Sequence, residues 1–238
     1  MLHEAGLKVT LIERSKIGQE SSWAGGGIIS PLYPWRFPAP VTALARWSQA
    51  HYPAFANDLL KNTGIDSEYT RNGLLILDTE EYPQASAWAE NKSHLELLEN
   101  ENLRDCEPEL GDYKKALWLP DIAQIRNPRL LKALKRALEL ADIPLLEQQK
   151  VQALRFEADK VIGVETEKGF IAGKRVIVTA GAWSAHLLNI PLAVKPVRGQ
   201  MILFVTPPNL VSRIVLGKDR YVIPRRDGTV LVGTIPLS

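Results

Sequence analysis

The apolar positions of this chain recur at two spacings, and the change of spacing marks out its elements. Lys8-Val9-Thr10-Leu11-Ile12-Glu13 is β-rich and ends on an acid, which predicts a strand, and Gly6 before it suits the left-handed end of a helical turn. Residues 15–40 show no period and carry Gly25-Gly26-Gly27 with Pro31, Pro34, Pro38 and Pro40, so they read as loop. From 41 to 63, Leu44, Trp47, His51, Phe55 and Leu59 return at helical steps; Gly64 stops this helix and Pro53 is placed to kink it. A strand is predicted at 73–77, a polar and mostly helical stretch at 79–107, and short strands at 116–119 and 124–126. Asn127-Pro128 then supplies an N-cap and first turn for a helix with Leu131, Leu134, Leu138 and Ala141 on one face.

After Pro144 the period shortens to that of strands. Residues 145–157, 161–167 and 170–171 form one such group, with a hairpin between the first two. Arg175-Val176-Ile177-Val178-Thr179 reads as a buried parallel strand that Ala180-Gly181 turns into a short helix. Residues 195–235 are strand-rich, with a turn at Arg226-Asp227-Gly228. Strands alternating with helices, followed by runs of strands, predict an α/β (α+β) chain that crosses between two domains more than once.

Composition narrows the class. At 238 residues, 45% hydrophobic and 24% charged, the chain is an ordinary globular one, so disordered and fibrous classes are excluded. A net charge of +2 without a Lys/Arg-rich block argues against a nucleic-acid partner. Cys106 is the sole cysteine, which excludes an intramolecular disulfide framework and a Cys-based zinc cage. His3, His51, His94 and His186 are scattered singly, so no metal site is expected. No secretory h-region opens the chain and no apolar run is long enough to span a bilayer. The expectation is a cytoplasmic protein with no membrane partner, and a homo-oligomer is compatible with everything above.

Three features bear on chemistry. Glu13 ends a strand, where a dinucleotide-binding βαβ unit keeps the carboxylate that accepts hydrogen bonds from ribose hydroxyls. That acid normally stands about 20 residues after a G-x-G-x-x-G fingerprint, which occurs nowhere in these residues. The second feature is Ser21-Ser22-Trp23-Ala24-Gly25-Gly26-Gly27-Ile28. Its glycines offer close backbone approach and unhindered N–H donors to a ligand, although a surface loop has the same composition. The third is Val178-Thr179-Ala180-Gly181-Ala182-Trp183, small residues at a strand-to-helix turn, which leave room for a dinucleotide or simply make the turn tight.

Taken in order, and with Pro196-Val197-Arg198-Gly199-Gln200-Met201 and Tyr221-Val222-Ile223-Pro224-Arg225-Arg226-x-Gly228 added, these motifs resemble the D-amino-acid oxidase superfamily of FAD-dependent enzymes. The glycine oxidase branch, linked to thiamine biosynthesis, is the most similar. The resemblance implies a Rossmann-like FAD-binding domain, incomplete here, with an antiparallel-sheet substrate domain. Residues 1–45 and 141–190 would form the first, 46–140 a mixed and mainly helical substrate part, and 191–238 the substrate sheet. It implies that Glu13 and Arg14 hold the adenosine half of FAD and that Ser21 and Ser22 lie on the pyrophosphate side. Gly25, Gly26, Gly27 and Ile28 would run along the flavin, Val151 would bond adenine through its backbone, and Thr179, Ala180 and Gly181 would pass close to the cofactor.

For substrate, the resemblance implies that Ile28 borders the pocket and Tyr221 helps hold a carboxylate, while a strand tyrosine more often serves packing. The reaction implied is oxidation of a small amino acid, glycine or a D-amino acid. Molecular oxygen is the acceptor, and the products are a 2-oxo acid, ammonia and hydrogen peroxide, with no acid–base residue needed at carbon. The family's carboxylate-binding arginine and Gly-x-Arg-Pro segment lie further downstream than Ser238. The chain is therefore expected to be an interior piece of a longer flavoenzyme. Two other readings stay open: a dehydrogenase or tRNA-modifying flavin domain, and a fragment that does not bind FAD. Arg198, Arg225 and Arg226 read equally as anion binders or solvated strand ends.

Overall fold

The computed structural model describes residues 2–90, 93–188 and 190–234; Ile235, expected to end the strand-rich region, lies outside them. In chain order the helices are α1 (Ser21–Ala24), α2 (Ala39–Thr63), α3 (Tyr82–Ala89), α4 (Asn100–Cys106), α5 (Asn127–Leu140) and α6 (Ser184–Leu188). The strands are β1 (Leu11–Ile12), β2 (Leu74–Ile76), β3 (Glu96–Glu99), β4 (Lys115–Leu119), β5 (Leu145–Leu146), β6 (Val151–Glu157), β7 (Lys160–Thr166), β8 (Gly169–Ala172), β9 (Met201–Val205), β10 (Ile214–Gly217), β11 (Arg220–Pro224) and β12 (Thr229–Thr234). Two units emerge: Met1–Ser21 with Lys135–Arg198, and Ser22–Leu134 with Gly199–Ser238. Residues 22–45 thus group with the large sheet, whereas the sequence reading put them with the nucleotide-binding segments.

The first unit holds the parallel pairing that defines its Rossmann-like character. Leu11 and Ile12 of β1 lie beside Leu145 and Leu146 of β5, and Glu13 N donates to Leu146 O at 2.9 Å. Next to it in sequence comes the antiparallel sheet β6-β7-β8, where Val151 opposes Thr166 and Glu157 opposes Lys160. Residues 175–179 differ from expectation: they form no strand, and Ile177 stays 67% exposed. A run of β-branched residues becomes a strand only where a neighbour takes its backbone bonds, and neither β1 nor β5 pairs with it among the described residues.

The second unit is organised by a seven-stranded sheet in the order β3-β4-β2-β10-β11-β12-β9. All its pairings are antiparallel except β2 with β10, where Leu74 sits beside Ile214 and Ile76 beside Leu216. The unbroken Leu74-Leu75-Ile76 run is explained by burial on both faces. Leu74 and Ile76 enter one apolar cluster with Leu117, Leu216, Tyr221 and Ile223, while Leu75 enters another with Leu103 and Ala116. Strand β3 lies inside the 79–107 stretch read as mostly helical; its Leu97 and Leu98 alternate against Leu117 and Ala116 of β4, a period of two hidden by flanking glutamates.

Helix α2 extends from Ala39 to Thr63 as its period requires, and Gly64 ends it with φ +71° and an N–H to Leu60 O at 2.8 Å. Its buried side is not the one the large apolar residues suggest. Thr42, Ala56 and Leu59 are buried, whereas Leu44 and Trp47 are exposed and Trp47 stacks on His51. On the inward side Gln49 Nε2 donates to Ile29 O at 2.9 Å. No described helix is long and apolar enough to cross a membrane.

Candidate functional site

In the second unit the glycine run is clamped onto the segment before α5. Ile125 N donates to Gly27 O at 2.8 Å, and Ile29 N donates to Ala123 O at 2.9 Å. Ile28 opposes Gln124 in an isolated antiparallel bridge. This closeness dictates the glycines. Gly27 has φ +79°, and a Cβ there would stand 2.0 Å from Ile125 O; one on Gly25 would stand 2.5 Å from Asn127 Nδ2. Sequence reasoning attributed the small residues to approach by a ligand; the protein's own packing already demands one at Gly27, whereas at Gly25 only the Asn127 side-chain amide would have to shift.

Asn127, read as an N-cap, donates from Nδ2 to Ser22 O at 2.9 Å and so fixes the end of α1. Arg225 reaches the same loop from the end of β11. Its Nη2 donates to Gly26 O at 2.7 Å, and its Nη1 to Gln124 Oε1 at 2.6 Å and Ile125 O at 3.3 Å. Burial pushes this guanidinium down to about 10, so it remains a cation at neutral pH. Arg226 beside it is different: it is exposed, paired with Asp66 at 2.8 Å and bonded to Thr70 Oγ1. Arg198 lies in an exposed stretch without assigned secondary structure. No local spacing in the sequence distinguishes these three arginines.

Tyr221 is 8% exposed, and burial pushes its phenol up. Its ring lies between two glycines: a Cβ on Gly26 would be 3.2 Å from Tyr221 Cε2, and one on Gly233 would be 2.4 Å from Cζ. The structure therefore brings Tyr221, Gly26, Gly27 and Ile28 together in one unit. Beside them is a cavity of about 350 Å³, bordered by Gly27, Ile28 and Ser30 of the loop, Ala45, Ser48 and Tyr52 of α2, and Asn127. Its lining mixes apolar side chains with hydroxyl and amide groups. Ala45, Ser48 and Tyr52 escaped sequence reasoning; their i, i+3, i+7 spacing was legible, but larger neighbours masked it.

The first unit carries the other candidates. Glu13 follows β1, and its Oε1 accepts from Ser15 N at 2.9 Å and Ser15 Oγ at 3.3 Å, which fixes the carboxylate at the strand end. Arg14 is committed to Glu20 through two hydrogen bonds, and its guanidinium lies 4.3 Å from the Trp183 ring centre. The Arg14 hydrogen bond holds the Glu20 carboxyl below its usual range. Val151 begins β6. Thr179 and Ala180 precede a 3₁₀ turn, Gly181–Trp183, where Gly181 adopts φ +56° and Trp183 N donates to Ala180 O at 3.1 Å. Ser21 starts α1.

One unit thus holds a two-stranded parallel pairing, and the other a large mixed sheet with a glycine run beside a cavity. The chain belongs to the FAD dependent oxidoreductase family, whose model matches residues 1–236. FAD is the cofactor of that family. Among relatives, it is 45% identical to a glycine oxidase of Pseudomonas aeruginosa over 97% of this chain and 65% of that one, and 43% identical to a glycine oxidase of Pseudomonas putida over 95% and 64%. The solved glycine oxidase of Geobacillus kaustophilus superposes with a TM-score of 0.87 at 26% identity, covering 97% of this chain and 66% of that chain. The chain thus spans about 65% of the length of these two curated relatives.

Proposed function

We propose that this chain carries cofactor- and substrate-binding residues of an FAD-dependent oxidase acting on glycine or a similarly small amino acid. What supports this is Gly27 and Ile28 at the cavity, with Tyr221 packed against the neighbouring Gly26, in a chain so similar to glycine oxidases. Bound FAD would accept hydride from the α-carbon and return the electrons to oxygen as hydrogen peroxide. The amino acid leaves as an imino acid that water converts to the 2-oxo acid and ammonia.

The protein's own tasks are orientation and exclusion of water. In the first unit Glu13, held by Ser15, would accept the ribose hydroxyls, with Arg14 beside it and Val151 bonding adenine through its backbone. Thr179, Ala180 and Gly181 would border the cofactor. Ser21 and Ser22 would serve the pyrophosphate. In the second unit Gly25, Gly26 and Gly27 would present the backbone to the flavin. Ile28 would limit the size of the α-substituent, and Tyr221 would donate its phenol to the substrate carboxylate; its raised pKa keeps it a proton donor. A role in thiamine biosynthesis is a further part of the proposal.

The test uses the full 238-residue chain. Reconstituted with excess FAD and freed of unbound cofactor, it is expected to keep a flavin absorbance spectrum, and a colourless protein would overturn the reading. Peroxide release with glycine, sarcosine and D-alanine then identifies the amine. Turnover with an artificial acceptor but without peroxide would move the assignment to a dehydrogenase.

A further inference from the structure

Three successive glycines are the most freely rotating backbone a chain contains, yet a binding surface needs one shape. Within Gly25–Gly27, the carbonyl of Gly26 is taken by Arg225 Nη2 at 2.7 Å, and that of Gly27 by Ile125 N at 2.8 Å. Carbonyl and N–H of one trans peptide point in opposite directions. Fixing Gly26 O therefore also aims the N–H of Gly27, directing it away from Arg225.

The same guanidinium bonds Gln124 Oε1 at 2.6 Å and Ile125 O at 3.3 Å, so its rigid fork ties the glycine run to the segment that flanks it. Gln124 is held in turn, its Nε2 donating to Pro224 O at 2.8 Å. The nearby carboxylates are engaged elsewhere: Arg126 lies 2.7 Å from Asp227 and 3.3 Å from Glu68. A half-buried cation whose bonds go to two main-chain carbonyls and an amide is there for geometry.

We propose that Arg225 is a positioning residue, which locks the Gly26–Gly27 peptide so that its N–H is presented to an acceptor atom of the cofactor. This rests on the FAD reading above for its final clause only. The experiment compares wild type, R225M, R225K and the neighbouring R226A, each as the full chain. Amide hydrogen exchange across residues 25–29 is measured without FAD, followed by FAD titration and the fine structure of the bound flavin's visible band.

R225M is expected to raise exchange at Ile29, whose N–H bonds Ala123 O at 2.9 Å, at least tenfold, to weaken FAD binding by a similar factor, and to blur the visible band. R225K keeps the charge but not the fork and should exchange as fast as R225M. R226A should match wild type. If R225M fails to fold, Q124L, which removes one anchor of the guanidinium, is expected to raise the same exchange severalfold. Wild-type exchange in R225M or Q124L, or full rescue by Lys, would overturn the proposal. If wild type itself binds no FAD, the cofactor reading falls, while exchange in the FAD-free protein still decides whether Arg225 locks the loop.

Discussion

The two units differ most in what they bury. In the second, the central strands β2 and β10 are sealed on both faces, and Leu74, Ile76, Ile214 and Leu216 have no exposed surface. In the first, Val164 is the one buried hydrophobic residue among those described, accompanied by the buried polar pair Gln149 and Thr166. One unit is held by an apolar interior, the other by backbone ladders and a side-chain bond, Gln149 Nε2 to Thr166 Oγ1 at 2.9 Å. Since burial supplies roughly 25 cal/mol per Å², the first unit has far less to resist local opening. The candidate flavin-side residues sit on the stable scaffold, and the adenosine-side residues on the softer one.

The contrast is tested most severely at the sheet centre. Leu216→Ala removes a fully buried side chain between β2 and β11 and is expected to cost about 2–5 kcal/mol in denaturant unfolding. Val164→Ala in the first unit should cost only about 1–2 kcal/mol. Equal losses would show that the two interiors are equally consolidated. Hydrogen exchange supplies the complement: amides of β2 and β10 should exchange only on global unfolding, whereas those of β6–β8 should exchange through local opening.

A smaller effect is expected at Gly27. Alanine there meets Ile125 O at 2.0 Å and loses the freedom that φ +79° requires, so Gly27→Ala should cost about 2–3 kcal/mol and reduce FAD retention together. Asn127→Ala removes the bond to Ser22 O and should cost about 1 kcal/mol, read as a shift in urea midpoint at constant slope. If Gly27→Ala proved neutral for stability but lost FAD, the glycine would serve the ligand and not the packing.

What the sequence made legible follows the same division. Helix α2 with its Gly64 stop, β2, β4 and the β6–β8 hairpins were readable because their period and terminators are local. The side of α2 that turns inward was not. The large residues Leu44 and Trp47 dominate its pattern, whereas Ala45, Ser48 and Tyr52 border the cavity. Residues 175–179 show the opposite error, for their β-branched run was legible and the pairing partner it needs was not. Among the candidate residues of the two units, the glycine run, Glu13 and Tyr221 stood out as motif members. Gln124 did not, and Arg225 stood in a motif without its tie to Gly26 being readable: the contacts of Arg225 with Gln124 and Gly26 span a hundred residues or more, and no spacing encodes them.

The smallest effect expected lies at the rim of the second unit, where acid should reveal a charge. Asp227 accepts from Thr229 Oγ1 at 2.7 Å and Thr229 N at 3.1 Å and pairs with Arg126 at 2.7 Å. The Thr229 hydroxyl first, and the Thr229 amide and Arg126 with it, hold this carboxyl down at about 2. A carboxylate lowered on folding stabilises the native state above its unfolded value, near 3.8, and loses that contribution as pH falls through about 2. Because Asp227 is substantially exposed, solvent screening keeps the contribution under about 1 kcal/mol. Asp227→Asn should therefore flatten the decline in stability between pH 4 and 2 by that amount, leave the stability of β6–β8 untouched, and change nothing in the slope between pH 6 and 8. An unchanged acid decline in this variant would assign it to other lowered carboxylates, Glu81 and Glu20 in the second and first units among them.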